Sequence, residues 1–387
     1  MKKAYIPFYR TPITPRQVAA VAKTLKSGWI TTGPICHELE SRLAEYIGAK
    51  HAIGVNSCTA GLHLALIAAG IGPGDEVITT PFTFVSSAEV IVHSGATPVF
   101  ADIDPNTFNL DPKSVAAQIT SKTKAILPVH IAGLPCDLHA IEELAREHNL
   151  KIVHDAAHAI GAEYKGRKIG STKDITSFSF YATKNITSGE GGLITTSNGK
   201  WADKIRCLCL HGMDRQAWKR YRKSGSWYYE VKELGFKYNL PDLNAALGLA
   251  QFEDFDKMQK ARARVAHWYD EMLADVEEVT VPPRDDHSVH AWHIYIIRLN
   301  RERLSIDRDD VIQLLTRAGV GCSVHFIPIF RQPYYRKRYG LKVKNYPMAD
   351  ALYKRVITLP FYPGLKKAEV VEVVRRLKKI LAGNRRR

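Results

Sequence analysis

Short apolar runs alternate with helix-patterned stretches through the first two-thirds of this chain, and that alternation leaves few folds open. Runs of five to eight residues rich in aliphatic and β-branched side chains stand at 51–55, 76–80, 97–103, 123–130, 151–155, 174–180 and 191–197. Helical periodicity fills several gaps, at 60–69, 84–93, 111–119 and 137–148. Gly70 closes the first of these helices and Asp111-Pro112 opens the third. Strands that alternate with helices pair in parallel, because each crossover helix packs back across a sheet face. The expectation is a largely parallel sheet covered on both faces.

Beyond residue 240 the rhythm changes. A long helical segment is expected from Pro241 to about Leu273, then a strand over 291–299, a helix over 307–318, a strand over 322–326 and a final helix over 367–382. Val370, Val374, Leu377 and Leu381 share one face of that last helix, so it docks on a core. The chain thus reads as a large α/β domain, residues 1–240, and a smaller α+β domain, residues 241–387, bridged by the long helix.

Charge is the unusual part of the composition. Lys plus Arg number 55 against 39 Asp plus Glu, a net +16 over 387 residues. Three acid-free clusters hold more than this surplus. They are Arg215, Lys219, Arg220, Arg222 and Lys223; Arg331, Arg336, Lys337, Arg338, Lys342 and Lys344; and seven bases over 375–387. Such clusters read as nucleic-acid patches, funnels for anionic substrates or solvated faces. No zinc-finger spacing, RNP signature or basic heptad helix supports nucleic acid. The six cysteines form no paired CxxC motif, so no zinc site or disulfide framework is expected. Cys207 and Cys209 fall in a helix-patterned stretch and read as buried thiols. No apolar run approaches the roughly 18 residues of a membrane span, and Met1 to Pro12 lack a secretory apolar core. A cytoplasmic location is expected.

Three local patterns carry chemistry. In His51-Ala-Ile-Gly-Val-Asn-Ser-Cys-Thr59 a strand runs straight into a helix through short polar residues, which serves as a plain cap or as an anion cradle at the helix N-terminus. It lacks the P-loop and dinucleotide fingerprints, so neither ATP nor NAD is indicated. Asp155 ends the strand 151–155, where open α/β sheets place ligands, and would suit a protonated heterocyclic nitrogen or cap the next turn. His158 reads as a hydrogen-bonding group or a core histidine. Third, a strand delivers Ser179, and Lys184 follows in a connection bounded by Gly189, Gly191 and Gly192. A desolvated lysine there becomes a nucleophile. Pyridoxal 5′-phosphate requires this trio: an anion cradle for its phosphate, an acid for its ring nitrogen and a lysine for its aldehyde.

Over nearly its whole length the sequence resembles the nucleotide-sugar aminotransferases of the DegT/StrS type, fold-type-I pyridoxal-phosphate enzymes. The resemblance rests on Ser27-Gly-Trp-Ile-Thr-Thr-Gly33-Pro34, the 56–61 turn, Pro128-Val-His-Ile-Ala-Gly133, Asp155-Ala-Ala-His158 and Ser179-Phe-Tyr-Ala-Thr-Lys184-Asn. It continues in Gly235-Phe-Lys-Tyr-Asn239-Leu-Pro-Asp, His290-Ala-Trp-His-Ile-Tyr and Leu359-Pro-Phe-Tyr-Pro-Gly364. Within the family it looks most like UDP-4-amino-4-deoxy-L-arabinose aminotransferase and its close relatives, which aminate a 4-keto nucleotide-sugar from L-glutamate.

The resemblance implies a large, mostly parallel-sheet domain with a smaller C-terminal one, and a homodimer with shared active sites. It implies that Lys184 is the Schiff-base lysine, that Asp155 pairs with the ring nitrogen, and that Cys58, Thr59 and Ser179 hold the phosphate. Asn239 would reach that phosphate from a second subunit. Phe84 would stack on the cofactor ring, and His158 would stand over its ring oxygen. His325 would line the sugar pocket, with the loop carrying Trp29, Thr31 and Thr32 nearby. His154 departs from the family, many of whose members have Glu there. Dehydratases on this scaffold replace the lysine by histidine, so Lys184 argues for amination, at C4 or C3. The bases beside His325 are then expected to steer a nucleotide diphosphate.

Overall fold

The computed structural model describes residues 5–213 and 228–386. The strands are β1 His51–Val55, β2 Glu76–Thr79, β3 Thr97–Phe100, β4 Thr123–Leu127, β5 Lys151–Asp155, β6 Glu163–Tyr164, β7 Arg167–Lys168, β8 Ile175–Ser179, β9 Gly192–Thr196, β10 Val279–Thr280, β11 Ser288–Val289, β12 Tyr295–Leu299 and β13 Val356–Leu359. Seven of them form one sheet in the order β1-β9-β8-β5-β4-β2-β3. β9 runs antiparallel to both its neighbours, and every other pairing in the sheet is parallel.

Side-chain alternation along these strands divides the core between the two faces. Val77, Ala125, Leu127, Val153 and Ile194 join one buried cluster, whereas Ile78, Ile126, Ile152 and Leu193 join the other. The helix Cys58–Ala68 is apolar nearly all round and buried on most sides, as a helix enclosed by other layers must be. Gly61 lets it lie against the sheet, since a Cβ there would stand 2.3 Å from Ser177 Oγ.

The C-terminal part builds a second sheet, β10-β12-β13, under the helices Phe255–Leu273, Arg308–Arg317 and Lys367–Ala382. Val370, Val374, Leu377 and Leu381 are buried in its core, as their spacing predicts. Ile6 joins the same core through Ile6 N to Gly319 O and Gly321 N to Ile6 O, each 2.9 Å.

Several expectations are corrected. The segment 241–273 is two helices, Asp242–Glu253 and Phe255–Leu273, separated at Asp254. There the Asp254 carboxylate turns to Arg16 and Gln17 of the first helix, Pro15–Ser27. Residues 322–326 form no strand; Ser323 alone exchanges backbone bonds with Thr358. The strand expected over 291–299 begins only at Tyr295, because Ala291 N and His293 N donate to Gly133 O and Ala132 O. Four helices absent from the sequence reading, Pro15–Ser27, Pro34–Ile47, Pro333–Tyr339 and Pro347–Tyr353, all begin with proline, a start signal that was there to be read. Cys209 is buried, whereas Cys207 is half-buried.

Part of this basic charge is paired among the described residues. Arg375 and Arg376 share Glu372, Lys378 meets Asp275 at 2.8 Å, and Arg385 pairs with the buried Glu278. Arg331 is bound to Asp350 and lies over the Tyr353 ring. The cluster Arg215, Lys219, Arg220, Arg222 and Lys223 lies outside the described residues.

One distant carboxylate starts the helix Pro34–Ile47. Buried Asp242 accepts from Gly33 N at 2.7 Å and Cys36 N at 2.9 Å through Oδ1, and from Ile35 N at 3.2 Å through Oδ2. Asp242→Ala leaves three amide donors without their acceptor and is expected to lower unfolding stability by about 2–3 kcal/mol in urea titration. Asp242→Asn should fall between the two.

Candidate active site

Three strands of the large sheet end at one place. β1 runs into the helix Cys58–Ala68, β5 ends on Asp155 and β8 ends on Ser179. Between them lies a cavity of about 460 Å³, the size range of small-ligand sites and at the strand ends where open α/β sheets hold ligands. Cys58, Thr59, Phe84, Asp155, His158, Ser179, Lys184 and His325 all line it.

Trp29, Thr31, Thr32 and Asn239 do not. They form a separate knot: Asn239 Nδ2 donates to Thr32 Oγ1 at 2.7 Å, Thr32 Oγ1 donates to Leu240 O, Trp29 Nε1 donates to Thr32 O, and Thr31 O accepts from Asp242 N.

The anion cradle is built by the helix start. Ser57 Oγ accepts from Ala60 N at 3.0 Å, while the first-turn N–H groups of Cys58 and Thr59 have no helical acceptor. The Cys58 thiol points the other way, onto Ser177 at 3.4–3.5 Å, and burial pushes its pKa up. Cys58 therefore offers its backbone, not its sulfur. Gly192 keeps the cradle open, because a Cβ there would stand 2.8 Å from Cys58 N.

Asp155 is 4% exposed. Burial pushes its pKa up, opposed by Ser87 Oγ donating to Oδ2 at 2.7 Å and Ala157 N donating to Oδ1 at 3.1 Å. Thr83 Oγ1 stands 2.8 Å from Ser87 Oγ and extends the chain of hydroxyls. Both donors to this carboxyl are neutral, so a cationic ring nitrogen is a fitting partner for it.

Lys184 faces it across the cavity. Burial of its amine disfavours the ammonium and pulls the pKa down to about 8 against the pull of Cys58 and Asp155. Its Nζ lies 3.4 Å from His293 Nε2. His293 packs on His158 at a ring distance of 4.3 Å, and His158 stacks on Phe326 at 5.8 Å. Burial holds His158, His293 and His325 below the usual imidazole range, His325 at about 4. His325 is steadied by Thr358 Oγ1 at 2.9 Å and by stacking on Phe8 at 5.7 Å. Phe84 stands exposed against Phe326, 6.1 Å between rings.

Sequence reasoning missed Thr83, Ser87, His293 and Phe326. Ser87 and Thr83 flank Phe84 closely enough to have been suspected, whereas His293 comes from the far part of the chain. The donor set suits a ligand carrying an anion for the helix start, a protonated ring nitrogen for Asp155 and a carbonyl for Lys184. Pyridoxal phosphate combines the three.

A family model for the DegT/DnrJ/EryC1/StrS aminotransferases matches residues 12–378. The spore coat polysaccharide biosynthesis protein SpsC of Bacillus subtilis is 47% identical over 380 residues, 98% of each chain. The uncharacterized protein MJ1066 of Methanocaldococcus jannaschii is 48% identical over the whole of both chains. Among solved structures, Spr1654 of Streptococcus pneumoniae, assigned as a sugar aminotransferase, superposes with a TM-score of 0.91 at 35% identity in its PMP form, covering 98% of this chain and 99% of that one. A PLP form of the same protein matches with a TM-score of 0.90. The architecture is that of the fold-type-I aminotransferases. With the family model spanning nearly the whole sequence and these relatives covering it end to end, the chain belongs to the DegT/DnrJ/EryC1/StrS aminotransferase family.

Proposed function

We propose that this aminotransferase moves the amino group of L-glutamate onto a 4-keto nucleotide-sugar, UDP-linked, for a cell-surface polysaccharide or lipid. It works in the cytoplasm as a homodimer with shared active sites. The observation that carries the reading is Lys184, an amine held near pKa 8, in one cavity with the buried Asp155 and a helix N-terminus. Pyridoxal phosphate is the cofactor, and when bound it supplies an electron-poor ring that accepts the electron pair of the carbon losing its proton.

The chain's own groups do the rest. Cys58 N–H, Thr59 and Ser179 bind the phosphate, and Asp155 keeps the ring nitrogen protonated. Phe84 covers the ring and His158 stands at its oxygen. Lys184 Nζ would hold and release the proton taken from the substrate carbon. His325 lines the sugar side. Trp29, Thr31, Thr32 and Asn239 serve the cavity of a second copy. Their separation from this chain's own cavity supports that role, as do exposed Leu25, Ile30, Val231 and Leu234, which leave apolar surface to be covered. The relation to SpsC supports the polysaccharide assignment. The requirement for an anionic nucleotide is supported by the resemblance and the basic clusters, although Arg331 is committed to Asp350 and drops out as a steering charge.

Borohydride reduction of the loaded protein should fix the cofactor covalently, and Lys184→Ala should abolish the adduct in intact-mass spectra; an adduct surviving in the variant overturns the assignment. Incubation with UDP-, GDP- and dTDP-linked keto-sugars plus glutamate should yield 2-oxoglutarate fastest with a UDP-linked 4-keto-sugar. Faster release with a 3-keto-sugar would place amination at C3. In the cofactor-stripped full chain, acylation of Lys184 read by peptide mass spectrometry should be half-maximal near pH 8, rising with pH as the neutral amine accumulates. An ordinary solvated lysine would instead reach its midpoint near about 10.4.

A further inference from the structure

His293 is the buried group against the reactive amine whose role nothing above accounts for. Its surroundings leave the ring a single state. Asn185 Nδ2 donates to Ala291 O at 2.6 Å and to Gln259 Oε1 at 3.0 Å. Gln259 Nε2 donates to the same Ala291 O at 3.1 Å. Both amide hydrogens of Asn185 are thereby used, and its Oδ1 is left facing His293 Nδ1 at 3.2 Å. An amide oxygen only accepts, so Nδ1 must carry the hydrogen. In a neutral ring Nε2 is then a bare lone pair, and it faces Lys184 Nζ at 3.4 Å.

The ring cannot turn away. It is 3% exposed and lies against His158. Its backbone is fixed by His293 N donating to Ala132 O at 2.9 Å and Arg262 Nη1 donating to His293 O at 3.0 Å. The charged or titratable groups facing it are Lys184, His158, His325 and Arg262, each of which opposes a second proton on the ring.

We propose that His293, locked in its Nδ1–H form by Asn185, is the positioning residue of the Lys184 amine: it takes one Nζ hydrogen and thereby aims the nitrogen lone pair into the cavity. The inference rests on Lys184 being the reactive lysine of the proposed function. Four rotatable bonds separate that nitrogen from the backbone, so one fixed acceptor removes much of its search. The same acceptor also favours the ammonium over the amine, in company with Asp155 and against burial. Positioning and basicity are therefore tied to one contact, and losing it moves two observables in opposite senses.

The test uses the full chain with His293→Phe, which keeps the ring volume without an acceptor, and His293→Gln, whose amide can donate to Asn185 and accept from Lys184. The pH midpoint of Lys184 acylation in stripped protein should fall by about one unit in the Phe variant. Uptake of pyridoxal phosphate at pH 9, followed by visible absorbance, should nonetheless slow about tenfold. The Gln variant should restore both towards the parent values. If the Phe variant does not fold, Asn185→Ala, which frees the tautomer and leaves the ring in place, must lower the midpoint in the same direction. A midpoint unmoved by losing the acceptor, or Phe and Gln variants that behave alike, overturns the proposal. Borohydride trapping in Lys184→Ala separately tests the reading on which it rests.

Discussion

Burying a carboxyl group at the end of a central strand is costly, and at Asp155 local hydrogen-bond donors offset that cost. β5 lies between β4 and β8, so Asp155 cannot reach bulk water from its own strand. Its backbone is held by the segment after β4, N to Pro128 O at 2.9 Å and O from His130 N at 3.1 Å. Its two oxygens take one hydroxyl and one amide hydrogen. Those donors are neutral, which leaves the carboxyl suited to a ligand that brings its own cationic nitrogen. The depressed lysine across the cavity is the counterpart of the same environment: one dry space raises the acid and lowers the amine.

Two histidines, His130 and His154, form a buried pair beside Asp155. His154 stacks on His130 at 5.4 Å with Nδ1 3.3 Å from His130 Nε2. His130 Nδ1 accepts from Cys136 N. Both rings are buried and held below the usual imidazole range by desolvation. The pair lies outside the lining of the cavity, with His154 next to Asp155 in the chain.

How far the sequence could be read follows from the range of the forces involved. The seven strands of the large sheet are legible because each is a local run of buried side chains, and the last helix because its apolar face repeats at helical spacing. Asp155, Lys184 and the helix start stand out in the sequence because strand ends and turns announce themselves locally, and the fold brings them to one cavity. The break at Asp254 was not, since its cause is a side-chain contact with residues some 240 positions away. Residues 322–326 look like a strand by composition, yet only Ser323 finds a partner. His293 and Ser87 escaped for the same reason: their importance lies in what tertiary packing sets beside them.

The wall of the cavity on the His325 side is tied to the start of the chain. Phe8 stacks on His325, and the segment around Ile6 is bonded to residues 319–321. A ribosome must therefore release most of the polypeptide before residues 6–8 meet their partners. The hollow between β1, β5 and β8 can take shape early, from contacts within the first two hundred residues, but the enclosure that dries Lys184 needs groups from residues 293 and 325. Contacts of such long sequence separation form slowly. During synthesis the growing chain thus holds the carboxylate and the lysine for a time without the enclosure that gives the amine its low basicity, and its distinctive reactivity arrives last.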